Sequence, residues 1–369
     1  MREALLAART RTLALADAYA EALGPAGMRI AYQSIVNPPL WELGHVAWFQ
    51  EYWIGRNRQR SLGIDCDPQH EREPSLYAQA DAFYNSSLVA HRTRWELALP
   101  SPEQTRSYLA ATLAQTLALL DGLPSTPSNS DLYFFRLVAL HEEMHAEAAT
   151  YMARTLGIAL KMPAPKALVN QGAEIHLPAQ TFRLGYSGAG FAFDNELHAH
   201  EVRLDAFRID KEPVSWARFM KFVRARGYEQ RRWWTEEGWA WLIQSGAKAP
   251  QPDASQLGHA AVHLTAHEAD AWCRWAGRRL PTEAEWECAA LSAPHFSWGE
   301  VWEWTASPFV PYPGFRAHPY RDYSAPWFGS RRVLRGASTA TAAALAHPRY
   351  RNFFEPQRSD VFTGFRSCA

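Results

Sequence analysis

The sequence predicts an all-helical N-terminal bundle followed by a domain of different texture, in which short strands and loops outweigh a few helices. Residues 2–23, 39–56, 76–94, 102–120 and 131–157 read as Ala/Leu-rich helical segments separated by polar or Pro-bearing breaks. After Met162-Pro163-Ala164-Pro165 the chain changes to short aromatic and β-branched runs rich in Gly and Pro, with only 214–226, 266–276 and 282–291 helical. The length of 369 residues suffices for two cores, which puts the domains at 1–162 and 163–369. No repeat of fixed period or low-complexity tract competes with this division.

The first segment carries charges through its apolar pattern (Arg2, Glu3, Arg9, Arg11), so it reads as an amphipathic helix and not as a signal peptide. No stretch approaches a membrane span. Lys plus Arg and Asp plus Glu are equal at 38 each, which removes the electrostatic case for nucleic acid or an anionic membrane as partner. Small molecules are the better expectation, with the oligomeric state left open. Cys66, Cys273, Cys288 and Cys368 are scattered and form no C-x-x-C pair, which fits a reducing cytoplasm.

The last bundle segment contains His141-Glu142-Glu143-Met144-His145-Ala146-Glu147 with no Gly or Pro near it. Imidazoles four apart lie on one helical face, at the spacing of two ligands to one metal ion. A third histidine, His45, stands in Asn37-Pro38-Pro39-Leu40-Trp41-Glu42-Leu43-Gly44-His45 on the aromatic-rich second segment. Three neutral nitrogen ligands leave coordination positions open for dioxygen and substrate, and on softness alone would accept Fe, Zn, Cu or Ni. The run also satisfies the H-E-x-x-H pattern of zinc proteases, with Glu142 as general base. A pair of hydrogen-bonded core histidines is the plain structural alternative. Glu147 and Glu51 are either carboxylates that orient a ligand imidazole or solvated helix residues.

Phe193-Asp194-Asn195-Glu196, Arg279-Leu280-Pro281-Thr282-Glu283-Ala284-Glu285-Trp286-Glu287, Val301-Trp302-Glu303-Trp304-Thr305 and the closing Gly364-Phe365-Arg366 resemble the formylglycine-generating-enzyme-like fold, an irregular, C-type-lectin-like α+β domain. Preceded by a DinB-like bundle carrying W-x-x-x-H and H-x-x-x-H-x-E, the chain resembles the non-haem iron sulfoxide synthases of ergothioneine biosynthesis and their relative selenoneine synthase. That resemblance implies iron(II) as cofactor and His45, His141 and His145 as its ligands. It implies dioxygen, hercynine and a thiol or selenosugar as substrates, with the site between the two domains. It implies Tyr320 as the catalytic acid, with Tyr323 as its partner in a Tyr-x-x-Tyr, and a phenol is protonated at neutral pH. Phe353, within Arg351-Asn352-Phe353-Phe354, falls where an aromatic faces the trimethylammonium of hercynine, a cation that offers no hydrogen-bond donor.

Two departures from the ergothioneine pattern bear on the donor. Of the paired arginines that hold a donor carboxylate in those enzymes, only Arg94 is kept, and Phe354 stands where an Asp grips the donor amine. Both losses remove charge-assisted contacts. The resemblance to selenoneine synthase therefore favours a neutral 1-selenoglucose donor and C–Se bond formation, with a thiol donor and C–S bond formation as the alternative. Met144 stands where some relatives carry Gln. Formylglycine generation is disfavoured, because the tail offers only Cys368 where that chemistry needs a thiol pair.

Overall fold

The computed structural model describes residues 1–24 and 27–369. The chain falls into two compact units, each built on its own core. The first comprises Met1–Lys161 with two short returns, Ala189–Phe191 and Ala317–Asp322, and the second holds Met162–Gly188, Ala192–Arg316 and Tyr323–Ala369.

In the first unit, α1 (Arg2–Leu23), α2 (Pro39–Gln50), α4 (Pro102–Asp121) and α5 (Asn129–Thr155) are joined by a short α3 (Ala80–Tyr84). Proline at the first helical position starts α2 and α4, where a missing N–H costs nothing. Capping boxes at Ser101/Gln104 and Ser128/Asp131 start α4 and α5. Beyond Gln50 the second helix continues through one π turn, Glu51–Gly55. The helices close around a buried cation. Arg9 on α1 donates to Glu142 on α5 at 2.8 Å, to Gln50 on α2 at 2.6 Å, and to the Leu109 carbonyl on α4.

Residues 76–94 are not the single helix their periodicity predicts. Only α3 and a 3₁₀ turn at Arg92–Trp95 form, because Asn85 takes an extended ψ and its side-chain carbonyl accepts the Ser87 N–H at 3.1 Å. Asn and Ser compete locally with the helix ladder in this way. Along α2, by contrast, every residue is buried, which a continuous apolar run allows.

The second unit contains β1 (Glu174–Leu177), β2 (Gln180–Leu184), β3 (His200–Leu204), β4 (Phe207–Asp210), β5 (Trp302–Pro308), β6 (Arg332–Gly336), β7 (Asn352–Phe354) and β8 (Thr363–Gly364). They make antiparallel pairs β1/β4 and β2/β3 and a four-stranded sheet ordered β7-β6-β5-β8, with β8 parallel to β5. Helices α6 (Trp216–Arg224), α8 (Ala266–Trp275) and α9 (Glu283–Ser292) lie within two residues of the predicted bounds. Helix α7 (Glu236–Ser245) was not expected, since Gly238 interrupts its short pattern. Trp286, Ile209, Cys288 and Cys368 share one core cluster. Buried ion pairs cross it, among them Arg366 with Glu303 and Arg335 and Arg351 with Glu283.

Among the described residues no helix is long and apolar enough to cross a membrane. All four cysteines are free and buried.

Candidate metal centre

His141 and His145 share a face of α5, and α2 brings His45 beside them. One ring nitrogen from each lies within 4.8 Å of the others. His141 Nε2 and His145 Nε2 are 3.2 Å apart. Two nitrogens each about 2.1 Å from one ion, at roughly a right angle, stand about 3 Å apart, so the pair has the spacing of two ligands on adjacent positions.

Each outer nitrogen that can be assigned has an acceptor. His45 Nδ1 donates to the Tyr84 carbonyl at 2.8 Å; a carbonyl only accepts, so the tautomer leaves Nε2 with its lone pair free. The break of the helix at Asn85 makes this contact available: the 85–89 segment turns back, Leu88 and Val89 donate to the Asn85 carbonyl, and the carbonyl of Tyr84 is left to the imidazole. Gly44 allows Tyr84 to approach this closely, since a Cβ there would lie 2.1 Å from the phenol ring.

His145 Nδ1 meets Glu42 Oε2 at 2.5 Å, and Asn37 donates to the other carboxylate oxygen. Burial works against the charge of Glu42, but His145 beside it holds the carboxyl down to about 2. Burial, reinforced by His145, pushes His45 down to about 3, and burial likewise takes His141 well below the ordinary range. Neutral imidazoles are what a metal ion requires as ligands, and burial favours that state at His45 and His141.

Aromatic rings wall the cluster. Trp41 stacks on His45 at 4.9 Å, and Phe49 stacks on His141 at 3.5 Å. Tyr320 belongs to the returning segment Ala317–Asp322 of the first unit, with its ring edge-on to Phe49 at 4.8 Å and 6.0 Å from the His141 ring. Burial raises its phenol above the ordinary tyrosine range. A cavity of about 390 Å³ in the same unit is lined by Trp48, Phe49, Tyr52, Trp53, Gln69, the Asn85–Leu88 loop and Pro319–Asp322.

The other expected residues separate into two groups. Arg94 is in the first unit, but its guanidinium donates to Asn37 at 2.7 Å and lies 3.9 Å over the Trp41 ring, so it backs the aromatic that stacks on His45. Met144 is half-buried on α5 between the two histidines. Tyr323, Asn352, Phe353 and Phe354 are in the second unit. There the hydroxyl of Tyr323 meets that of Tyr350 at 2.9 Å, and its ring is edge-on to Phe353 at 5.9 Å. Phe353 stacks on Phe309 at 4.0 Å. Asn352 accepts from the Phe353 N–H at 2.9 Å, and Arg358 lies 5.3 Å over the ring of Phe354.

Neither reading of Glu51 describes its place. It is buried and accepts from Ser75 at 2.6 Å, the Leu76 N–H at 2.6 Å and Tyr108 at 2.5 Å, fastening the 75–77 loop to α2. Glu147 is buried on α5 and is not a solvated helix residue. Glu142, the base of the zinc-protease reading, is consumed by Arg9 in a buried pair and has no role at the cluster. Glu42 and Arg9 were missed. Glu42 stands three residues before His45 on the same helical face, which places it near the cluster, but its partner His145 is 103 positions away.

The DinB superfamily matches residues 4–149, and the sulfatase-modifying factor enzyme 1-like domain matches 160–300 and 295–369. The hercynine oxygenase of Mycolicibacterium thermoresistibile is 33% identical over 98% of this chain and 93% of its own length. That of Mycolicibacterium smegmatis is 31% identical over 99% and 97%. The formylglycine-generating enzyme of Streptomyces coelicolor is 27% identical over 58% of this chain and 96% of its own.

Proposed function

The chain belongs to the hercynine oxygenase family, and from that membership and the three-histidine cluster we infer that it is a non-haem iron(II) enzyme. It uses dioxygen to couple a thiol donor to the imidazole of hercynine, forming a C–S bond. The observation that carries the reading is the convergence of His45, His141 and His145 with Glu42 and the Tyr84 carbonyl behind two of them. The His45 tautomer leaves Nε2 with its lone pair free and burial disfavours protonation of His141, and three imidazoles are a donor set that suits iron(II) and leaves positions open. Iron held there would supply the activation of dioxygen.

The protein's own residues do the rest. Glu42 and Tyr84 fix the ring orientations of His145 and His45. Tyr320, kept protonated by burial, is the proton donor from its phenolic oxygen and stands beside His141. The rings stacked on His45 and His141 keep water from those two buried imidazoles, which strengthens the electrostatic contacts there. By the family resemblance Phe353, one face of which stacks on Phe309, is the candidate aromatic for the trimethylammonium, with Asn352 and Phe354 beside it on the same strand, and Met144 is a candidate contact within the first unit. Tyr323, bonded to Tyr350, holds the Phe353 ring in place.

A second reading takes 1-selenoglucose as donor and forms a C–Se bond. It is favoured by the engagement of Arg94 with Asn37 and Trp41, which leaves no guanidinium clamp at that position, and by Phe354 in place of a carboxylate. Purified protein loaded with iron(II), given hercynine, dioxygen and each donor in parallel, tests both. A sulfur adduct with cysteine or γ-glutamylcysteine at kcat/KM equal to or above that of the selenosugar supports the thiol reading. Efficient coupling of the selenosugar alone supports the second, and no dioxygen-dependent adduct with any donor sinks both.

A further inference from the structure

Behind the three-histidine cluster the first unit holds another cavity, of about 40 Å³, that shares no lining residue with the larger one. Leu15 and Ala16 of α1, Val46 of α2, and Ala149 and Met152 of α5 line it, and His145 and Glu42 form part of its wall. We propose that it is a holding site for dioxygen on its way to the metal.

Its chemistry selects a small apolar guest. The surface it presents is almost entirely carbon. The polar groups among its lining residues are committed elsewhere: Glu42 to His145 and Asn37, and the Tyr19 hydroxyl to the Ala149 carbonyl at 2.6 Å. Among the described residues that line it, the Thr12 hydroxyl alone has no partner. A water molecule needs two to four polar partners to be held, whereas a pocket walled by carbon takes up xenon or other apolar guests. The volume suits a diatomic molecule and is too small for hercynine or any donor.

Its position gives the chemistry a use. The cavity meets the cluster at a ligand imidazole and the carboxylate that orients it, so a guest is one side chain from the metal position. The larger cavity, lined by Phe49 and Tyr320, is separate, so a guest held here leaves that cavity unoccupied. The proposal rests on the dioxygen-dependent reading above.

Xenon pressurisation of crystals of the metal-free protein, followed by anomalous diffraction, reads occupancy without activity. We expect one xenon site bounded by Leu15, Val46 and Ala149, abolished by Ala149→Leu on α5 and, independently, by Leu15→Trp on α1. In the iron-loaded enzyme both variants should raise KM for dioxygen several-fold, leaving KM for hercynine, the iron content and the rate at saturating dioxygen unchanged. No xenon in the wild-type cavity, or an unaltered KM for dioxygen in a folded variant that has lost its xenon, overturns the proposal. A wild-type enzyme that consumes no dioxygen with any donor fails the functional reading instead, and the proposal falls with it.

Discussion

Phe49 lies flat on His141, the ring centroids 3.5 Å apart and the planes 3° from parallel. The stack holds one imidazole in a single plane, and Tyr320 stands edge-on against its far partner at 4.8 Å. Tyr320→Phe therefore keeps the ring packing and removes only the proton. We expect metal content and hercynine affinity to be retained and the coupling rate to fall by about 10²–10⁴. Dioxygen would still be consumed, diverted to oxidation of the donor. Tyr323→Phe is the control, and a wild-type yield from the first variant with collapse in the second would move the acid role to Tyr323.

Glu42→Gln should weaken metal binding by about 10–100-fold, because the amide can present its N–H to His145 and favour the wrong tautomer. Titration of the metal-free protein with iron(II) or cobalt(II) under anaerobic conditions measures this directly. Wild-type affinity would mean that His145 needs no carboxylate.

At Gly44 the added methyl of Gly44→Ala meets the ring of Tyr84, which is fully buried and has nowhere to go. Overpacking of this kind costs about 1–3 kcal/mol. The displacement also pulls the Tyr84 carbonyl from His45, so the variant should lose both melting temperature and metal affinity. A loss of stability with metal affinity intact would separate the packing from the ligand.

Arg9→Met leaves Glu142 buried without its cation, which should cost about 3–5 kcal/mol, whereas Arg9→Met with Glu142→Leu should recover most of that. Denaturant titrations of the two singles and the double form the cycle. Retention of coupling activity by the double variant would also exclude a chemical role for Glu142.

In the second unit Glu196 is fully buried, with His347 Nε2 3.5 Å from its Oε2 and no hydrogen bond to that oxygen among the described residues. Burial pushes its carboxyl up from 4.5 to about 8. The folded state thus binds more protons than the unfolded one between those values, and stability should fall as pH rises through the window, by up to about 1.4 kcal/mol per pH unit. Glu196→Gln should flatten that slope, matching wild type near pH 4 and exceeding it above pH 8 in urea unfolding.

Much of this site is legible in the chain because its decisive contacts are local. His141 and His145 are one helical turn apart in a segment free of Gly and Pro, and the helix forms where the pattern puts it. Glu42 stands three residues before His45, but the ring it orients is that of His145, 103 positions away, so its role comes from tertiary packing. The 76–94 segment shows the limit: its apolar spacing matches a helix, but the Asx turn at Asn85 outweighs periodicity. Arg9 and Glu142 meet across 133 positions, a pairing no spacing rule reaches. Tyr320 and Tyr323, three residues apart, fall in different units, because the chain leaves the first between Asp322 and Tyr323.

The turn at Asn85 joins two tasks in one stretch of backbone: residue 84 orients His45 with its carbonyl, and residues 85–88 wall the larger cavity. Whatever presses on that wall also acts on the basicity of a ligand imidazole. Reciprocity then obliges the metal, once bound, to alter the affinity of the cavity's guest by the same factor by which the guest alters the metal's. A substitution in residues 85–88 is accordingly expected to change metal affinity together with the affinity of whatever that cavity takes.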